Sequence, residues 1–259
     1  MDSLLAVLDH EIAEADTYAE RKENRIAELK NRAKSLPPLS SERFSINNDI
    51  FLEYKAYSSD SALHYLQENI DLAKRLGNRE IEIRTRLYMA DLLSSIGLYL
   101  EAFDIINSIE RSTLPESQLG TYYSSLEHAY AEAGTASPQF HMFRSKQLAK
   151  RRAYRDSMAM VLDHSSATYL KMTELRLRDE KRYDEAIAIN DRRLAEATPG
   201  TTQYALVTYN RYQLLRNMNR PKEEQLHYLI LSAIADIHAA DREQSSIMRL
   251  AEEMNNLGD

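Results

Sequence analysis

The sequence predicts an all-α chain, a solenoid of about five stacked helix pairs led by one long amphipathic helix. Three observations carry that expectation. Helix breakers are scarce: the 259 residues include six glycines and six prolines, whereas strand-rich folds need a turn residue roughly every ten positions. A short turn pattern recurs along the chain. Its copies also keep a common spacing, the signature of a repeat array.

The pattern is clearest in Ile96-Gly97-Leu98-Tyr99-Leu100-Glu101-Ala102-Phe103-Asp104-Ile105-Ile106 and in Lys181-Arg182-Tyr183-Asp184-Glu185-Ala186-Ile187-Ala188-Ile189. Each reads as a helix–turn–helix of the tetratricopeptide kind. A small residue at the turn lets two helices close up, the tyrosine covers the open end, and the alanine sits where the backbones approach most closely. The aliphatic residue one turn later faces the neighbouring helix. A weaker copy is Ser59-Asp60-Ser61-Ala62-Leu63-His64-Tyr65-Leu66. Ala62 and Ala102 are 40 residues apart and Ala102 and Ala186 are 84 apart, which leaves room for one further unit over Ser117–Arg155. In that unit Ser137-Pro138 reads as an N-cap followed by a first-turn proline. A fifth unit spans Thr201–Ala240 and is broken at Asn219-Arg220-Pro221, with Glu223 and Glu224 in the new first turn. A sixth begins at Ser245 and stops within a repeat, so the array over 40–259 is expected to continue beyond Asp259. The period exceeds the usual ~34 residues of this repeat class, so longer helices are expected.

Residues 1–36 form a separate element, closed by Leu36-Pro37-Pro38. Positions 5, 8, 12, 15, 19, 22, 26, 29, 33 and 36 hold an apolar seam in 3-4 spacing in which only Lys22 is polar. A single helix over 4–36 would be roughly 48 Å long. One use is a homodimeric coiled coil, whose charge pairing favours antiparallel strands. The other is a long cap packed on the chain's own repeats. Three alanines make a thin seam for an isolated coil, which favours the cap.

Composition excludes several function classes. A net charge of −7 argues against nucleic acid as a partner, because phosphate binding needs a basic surface. With no cysteine, disulfides, thiolate metal sites and thiol nucleophiles are ruled out. No stretch reaches the ~18–20 apolar residues of a membrane span. The start, Met1-Asp2-Ser3-Leu4-Leu5, is too acidic and its apolar run too short for a signal peptide. The glycines are isolated, so there is no phosphate-cradling loop and no nucleophile elbow. The seven histidines form no His-x-x-x-His or Glu-x-x-His pair, and His10 with Glu14 reads as a solvated helix face. No catalytic residue, metal site or cofactor is expected, and the chain reads as a binding scaffold.

Two surfaces are candidates for that binding. Arg144, Lys146, Lys150, Arg151, Arg152 and Arg155 form a basic run, suited either to an anionic partner or to acidic neighbours within the protein. Tyrosine is abundant, at 16 residues with no tryptophan. Tyr88, Tyr122, Tyr123, Tyr130, Tyr169, Tyr209 and Tyr212 fall on the first helices of the pairs, which line the concave side of such solenoids. A phenol ring offers a flat apolar face and a hydroxyl, suited to sugars and peptide groups, and equally to packing between repeats. The concave candidates are Arg84, Tyr88, Asp91, Tyr123, Glu127, Tyr130, Lys171 and Tyr209, with Leu87, Ser124 and Arg178 on the same helices. An exposed aromatic platform beside Asp, Asn or Arg would favour a sugar. A long polar groove without a pocket would favour a peptide.

The chain resembles the tetratricopeptide sensor region of bacterial membrane-spanning transcription regulators related to the starch-utilisation regulator. The segments that carry the resemblance are Asp2-Ser3-Leu4-Leu5, Asp60-Ser61-Ala62-Leu63, Tyr154-Arg155-Asp156-Ser157, Ser232-Ala233-Ile234-Ala235-Asp236-Ile237 and Ser245-Ser246 with Leu250-Ala251. It implies a periplasmic sensory segment, with a signal peptide before Asp2 and Met1 an added start. Beyond Asp259 it implies the rest of the array, a membrane crossing and a cytoplasmic DNA-binding part. The implied ligand is an oligosaccharide or a protein partner reporting on one; the rival reading is an adaptor that binds a peptide or helix. Two departures from the repeat stand out: Glu174 occupies a position usually held by a small residue, and the third unit lacks the turn signature.

Overall fold

The structure, a computed structural model, describes residues 2–136, 141–241 and 245–258. These hold thirteen α-helices and no strand. The fold is an all-α, tetratricopeptide-like solenoid. It divides into two compact units, a central one over Ile26–His164 and a terminal one in which Met1–Arg25 joins Ser165–Asp259.

In the central unit α3 (Ser41–Tyr54) pairs with α4 (Ser59–Arg75), α5 (Arg79–Ser95) with α6 (Tyr99–Asn107), and α7 (Glu116–Thr135) with α8 (His141–Val161). Helix starts follow from local chemistry. Ser40 Oγ accepts the Arg43 amide at 3.0 Å and Asn78 Oδ1 accepts the Ile81 amide at 3.1 Å, each satisfying a donor the helix itself leaves unpaired. Gly77 (φ 67°) and Gly97 (φ 86°) end α4 and α5 in the left-handed conformation that glycine adopts without a Cβ penalty. Ala62 and Ala102 are fully buried at the close approaches the turn pattern requires. Around Ala102 pack Leu87, Ala90, Ile106 and Ala129; around Ala62 pack Ile50, Phe51, Leu66 and, from the preceding helix, Ile26 and Ala33. Ser137-Pro138 lie outside the described residues.

The terminal unit pairs α9 (Ala167–Asp179) with α10 (Tyr183–Glu196) and α11 (Thr202–Asn217) with α12 (Lys222–His238), followed by α13 (Ser245–Gly258). The turn after α9 is made by Lys181 at φ 61° and that after α11 by Asn219 at φ 52°, where α5 uses Gly97. Leu8 from the N-terminal helix is buried with Tyr212, Leu226, Leu229 and Leu250. The Lys22 ammonium donates to the Ala239 carbonyl at 2.7 Å, and Tyr18 donates to Glu11 Oε2 at 2.6 Å, an oxygen that lies 2.9 Å from His238 Nε2.

Two expectations need correction. The helix expected unbroken over 4–36 is interrupted at Glu14, giving α1 (Asp2–Ala13) and α2 (Ala15–Lys34). Its seam is nonetheless covered by the chain itself: of the ten seam positions, Ile12 alone is exposed. Nor are all the helices long, since α6 has nine residues while α7 and α8 have 20 and 21. Glu174, unexpected at its position, is fully buried. It receives the Arg193 guanidinium at 2.5 Å and the Asn190 amide at 3.2 Å, so a small residue is replaced by a satisfied ion pair.

Candidate binding cleft

Within the central unit α5 packs directly on α7, while α3 and α5 meet through side chains such as Phe51 and Tyr88 and flank the C-terminal end of α4. A cleft of about 390 Å³ opens there, within the ordinary size of small-molecule sites. Its apolar lining is Phe44, Ala73, Leu76 and Ile81; its polar groups are Ser41, Ser45, Asn48, Asn78, Thr85, Arg84 and Tyr88. The left-handed turn at Gly77 sets one edge by bringing Leu76 and Asn78 to the mouth.

The polar groups differ in how far they are committed. Thr85 donates to the Ile81 carbonyl and Asn78 caps α5. By contrast Ser45, Asn48, Arg84 and the Tyr88 hydroxyl make no hydrogen bond to the described residues. Tyr88 is 37% exposed, and its ring lies near-parallel to that of buried Phe51, at 6.4 Å between centroids and 13° between planes. Arg84 lies one helical turn before Tyr88 and is the sole formal charge in the lining. Asp91 lies half-buried further along α5.

The other candidate residues of the central unit form a different assembly. Tyr123 is buried and accepts from Arg111 Nε at 2.5 Å, and Tyr130 accepts from Lys150 at 2.9 Å. Tyr154 stacks between them, 6.3 Å from Tyr123 and 5.7 Å from Tyr130. Glu127 accepts from Arg151 Nε at 2.7 Å and Arg155 Nε at 2.8 Å. Burial alone would raise the Glu127 carboxyl, but the two guanidinium charges outweigh it and hold its pKa below the usual carboxylate value. Part of the basic run is therefore neutralised inside the protein, while Arg144, Lys146 and Arg152 stand exposed. Leu87 is fully buried and belongs to the core, not to a groove. Tyr123 is likewise buried.

Lys171 and Tyr209 belong to the terminal unit. Lys171 is exposed on α9. Tyr209 packs 5.7 Å from Tyr212 against the core around Leu229. Arg178 donates to Gln213, Arg211 pairs with Asp191, and buried Tyr212 donates to Glu253 at 2.6 Å. Among the described residues no three His, Cys, Asp or Glu side chains converge as for a metal, and no helix is long and apolar enough to cross a membrane. Sequence reasoning missed Ser45 and Asn48 on α3; their 3-residue spacing on one helix face was the available signal.

One family model, described as the SusR N-terminal TPR domain, matches residues 12–259. The chain belongs to that family. No curated protein and no solved structure matches it. The matched residues include those of the cleft between α3 and α5 and the ion-paired helices of the terminal unit.

Proposed function

We propose that this chain is the periplasmic sensory region of a membrane-bound transcription regulator, and that it binds an oligosaccharide in the cleft between α3 and α5. The observation that carries the reading is the partly exposed Tyr88 ring, anchored beside Phe51, in one cleft with uncommitted Asn48, Ser45 and Arg84. Sugar rings stack on such a ring through their C–H groups, while their hydroxyls need donors and acceptors around the rim. Membership of the SusR N-terminal TPR domain family supports the regulatory role, and tetratricopeptide folds are generally non-catalytic scaffolds.

The mechanism follows from where the cleft lies. Its walls come from the first helices of two successive repeats, so a ligand touching both α3 and α5 favours one angle between those repeats over others. Binding then shifts the population of repeat geometries, by no more than its difference in affinity for them.

The test is calorimetric titration of the chain with a panel of oligosaccharides, repeated with Tyr88→Ala. Saturable heat from one sugar class, lost in the variant, is the expected result. Absence of heat with every sugar would move the reading to an adaptor for a peptide or helix.

A further inference from the structure

We infer that the ligand of this cleft is an acidic saccharide, one bearing a carboxylate or sulfate, and that Arg84 is the residue that selects it. The inference rests on the proposed saccharide reading and adds the charge of the ligand.

The arginines of this protein are, for the most part, committed. Arg79 and Arg86 pair with Glu82, Arg151 and Arg155 with Glu127, Arg193 with Glu174, Arg211 with Asp191, and Arg249 with Glu253. Among the described residues, Arg32, Arg75, Arg144, Arg152 and Arg192 have no partner, and all five are exposed to solvent, which screens them. Arg84 alone lacks a partner while half-buried. A guanidinium drawn partly out of water without a counter-charge loses hydration that nothing in the protein replaces.

The surroundings of Arg84 point the same way. The lining contains no carboxylate to pair with Arg84 or to accept from sugar hydroxyls. Ser41 and Asn78, at the starts of α3 and α5, line the cleft together with Ala73 and Leu76 at the end of α4. Guanidinium offers a planar fork of donors and no acceptor, the complement of a carboxylate or sulfate held by two hydrogen bonds. A neutral sugar would leave that charge unmatched; an acidic one both pairs it and stacks on Tyr88, one helical turn away. Asn48 and Ser45, with donors and acceptors, would meet the remaining hydroxyls.

The experiment compares an acidic saccharide with its uncharged ester and with a sulfated one. The probes are a tetrasaccharide of galacturonic acid, its fully methyl-esterified form and a chondroitin sulfate tetrasaccharide, with inorganic sulfate and an oligoglutamate peptide alongside. Each is titrated into the whole chain and into Arg84→Gln and Tyr88→Ala, with circular dichroism to verify folding. Arg84 makes no hydrogen bond or ion pair to the described residues, so Arg84→Gln should fold normally. The expected result is that an acidic tetrasaccharide binds and the ester does not. Arg84→Gln should weaken that binding about ten- to a hundredfold, the range for a lost hydrogen bond to a charged group. Binding should also weaken with added salt.

Equal binding of ester and acid, dependent on Tyr88 and indifferent to Arg84, overturns the acidic-ligand inference and leaves the saccharide reading standing. Sulfate or oligoglutamate binding through Arg84 as tightly as any saccharide overturns the saccharide reading. Heat from none of the probes overturns the inference.

Discussion

The two units use the same helix pairs but treat the charges between them differently. In the terminal unit nearly every interior charge is answered. Glu174 is matched to Arg193 and Asn190, Arg178 reaches Gln213, and Glu253 gathers Tyr212, Lys222 and Arg249. Its polar groups hold neighbouring helices together. The central unit is answered at α7–α8, where Glu127 takes two arginines, but left open between α3 and α5, where Arg84 and Asn48 have no partner among the described residues. A repeat scaffold can therefore spend the same residue types on cohesion in one pair of repeats and leave them for a ligand in another. Residue identity does not separate the two uses; whether a counter-group is within reach does.

The contrast is tested first where the largest effect is expected. Glu174→Gln removes the charge that matches buried Arg193 and should cost about 3–5 kcal/mol, read as a large fall in melting temperature. Replacing both residues by leucine should cost far less, since no uncompensated charge is left. Were the single change nearly neutral, the terminal unit would not be held by its ion pairs.

Acid provides the next test. Burial opposes ionisation of Glu253, but hydrogen bonds from Lys222 and Tyr212 and the charges of Lys222 and Arg249 prevail, lowering its pKa from 4.5 to about 2. A depressed carboxylate stabilises the folded state above its unfolded pKa and ceases to do so as pH falls through its folded one. The melting temperature should therefore drop between about pH 4.5 and 2, and Glu253→Gln should flatten that part of the profile while lowering stability at neutral pH.

Packing comes third. Ala102→Leu forces a larger side chain where α5 and α6 meet and should cost about 1–3 kcal/mol; Ala186→Leu should do the same to the terminal unit. A smaller change, of opposite sign, is expected at the α9 turn. Lys181 holds the left-handed conformation that Gly97 holds after α5, so Lys181→Gly should stabilise by about 1 kcal/mol in denaturant melts. The smallest effect belongs to the proposed cleft: Arg84→Gln should change stability by less than about 0.5 kcal/mol, as for a residue with no partner among the described residues. A large loss there would mean that Arg84 serves cohesion after all.

Much of the fold was legible because its signals are local. The turn copies at Gly97–Ile106 and Lys181–Ile189 fix where helix pairs close, and Ala62, Ala102 and Ala186 are all fully buried as their spacing requires. The break at Glu14 was not legible, because the 3-4 seam runs through it without a proline or glycine. The site was legible only in part. Arg84, Tyr88, Tyr123 and Glu127 all satisfy the same rule, first helix of a pair and inward register, yet Tyr123 is core and Glu127 is ion-paired.

By itself, then, the sequence determined the helix pairs, their spacing and the small residues at their contacts, since each depends on neighbours within one or two helical turns. Only the tertiary structure decided which charges are spent and which are free. Glu127 finds its arginines 24 and 28 residues away and Glu174 finds Arg193 at 19. With 40 acidic and 33 basic side chains, composition offers each charge many partners, and the packing of the repeats selects among them.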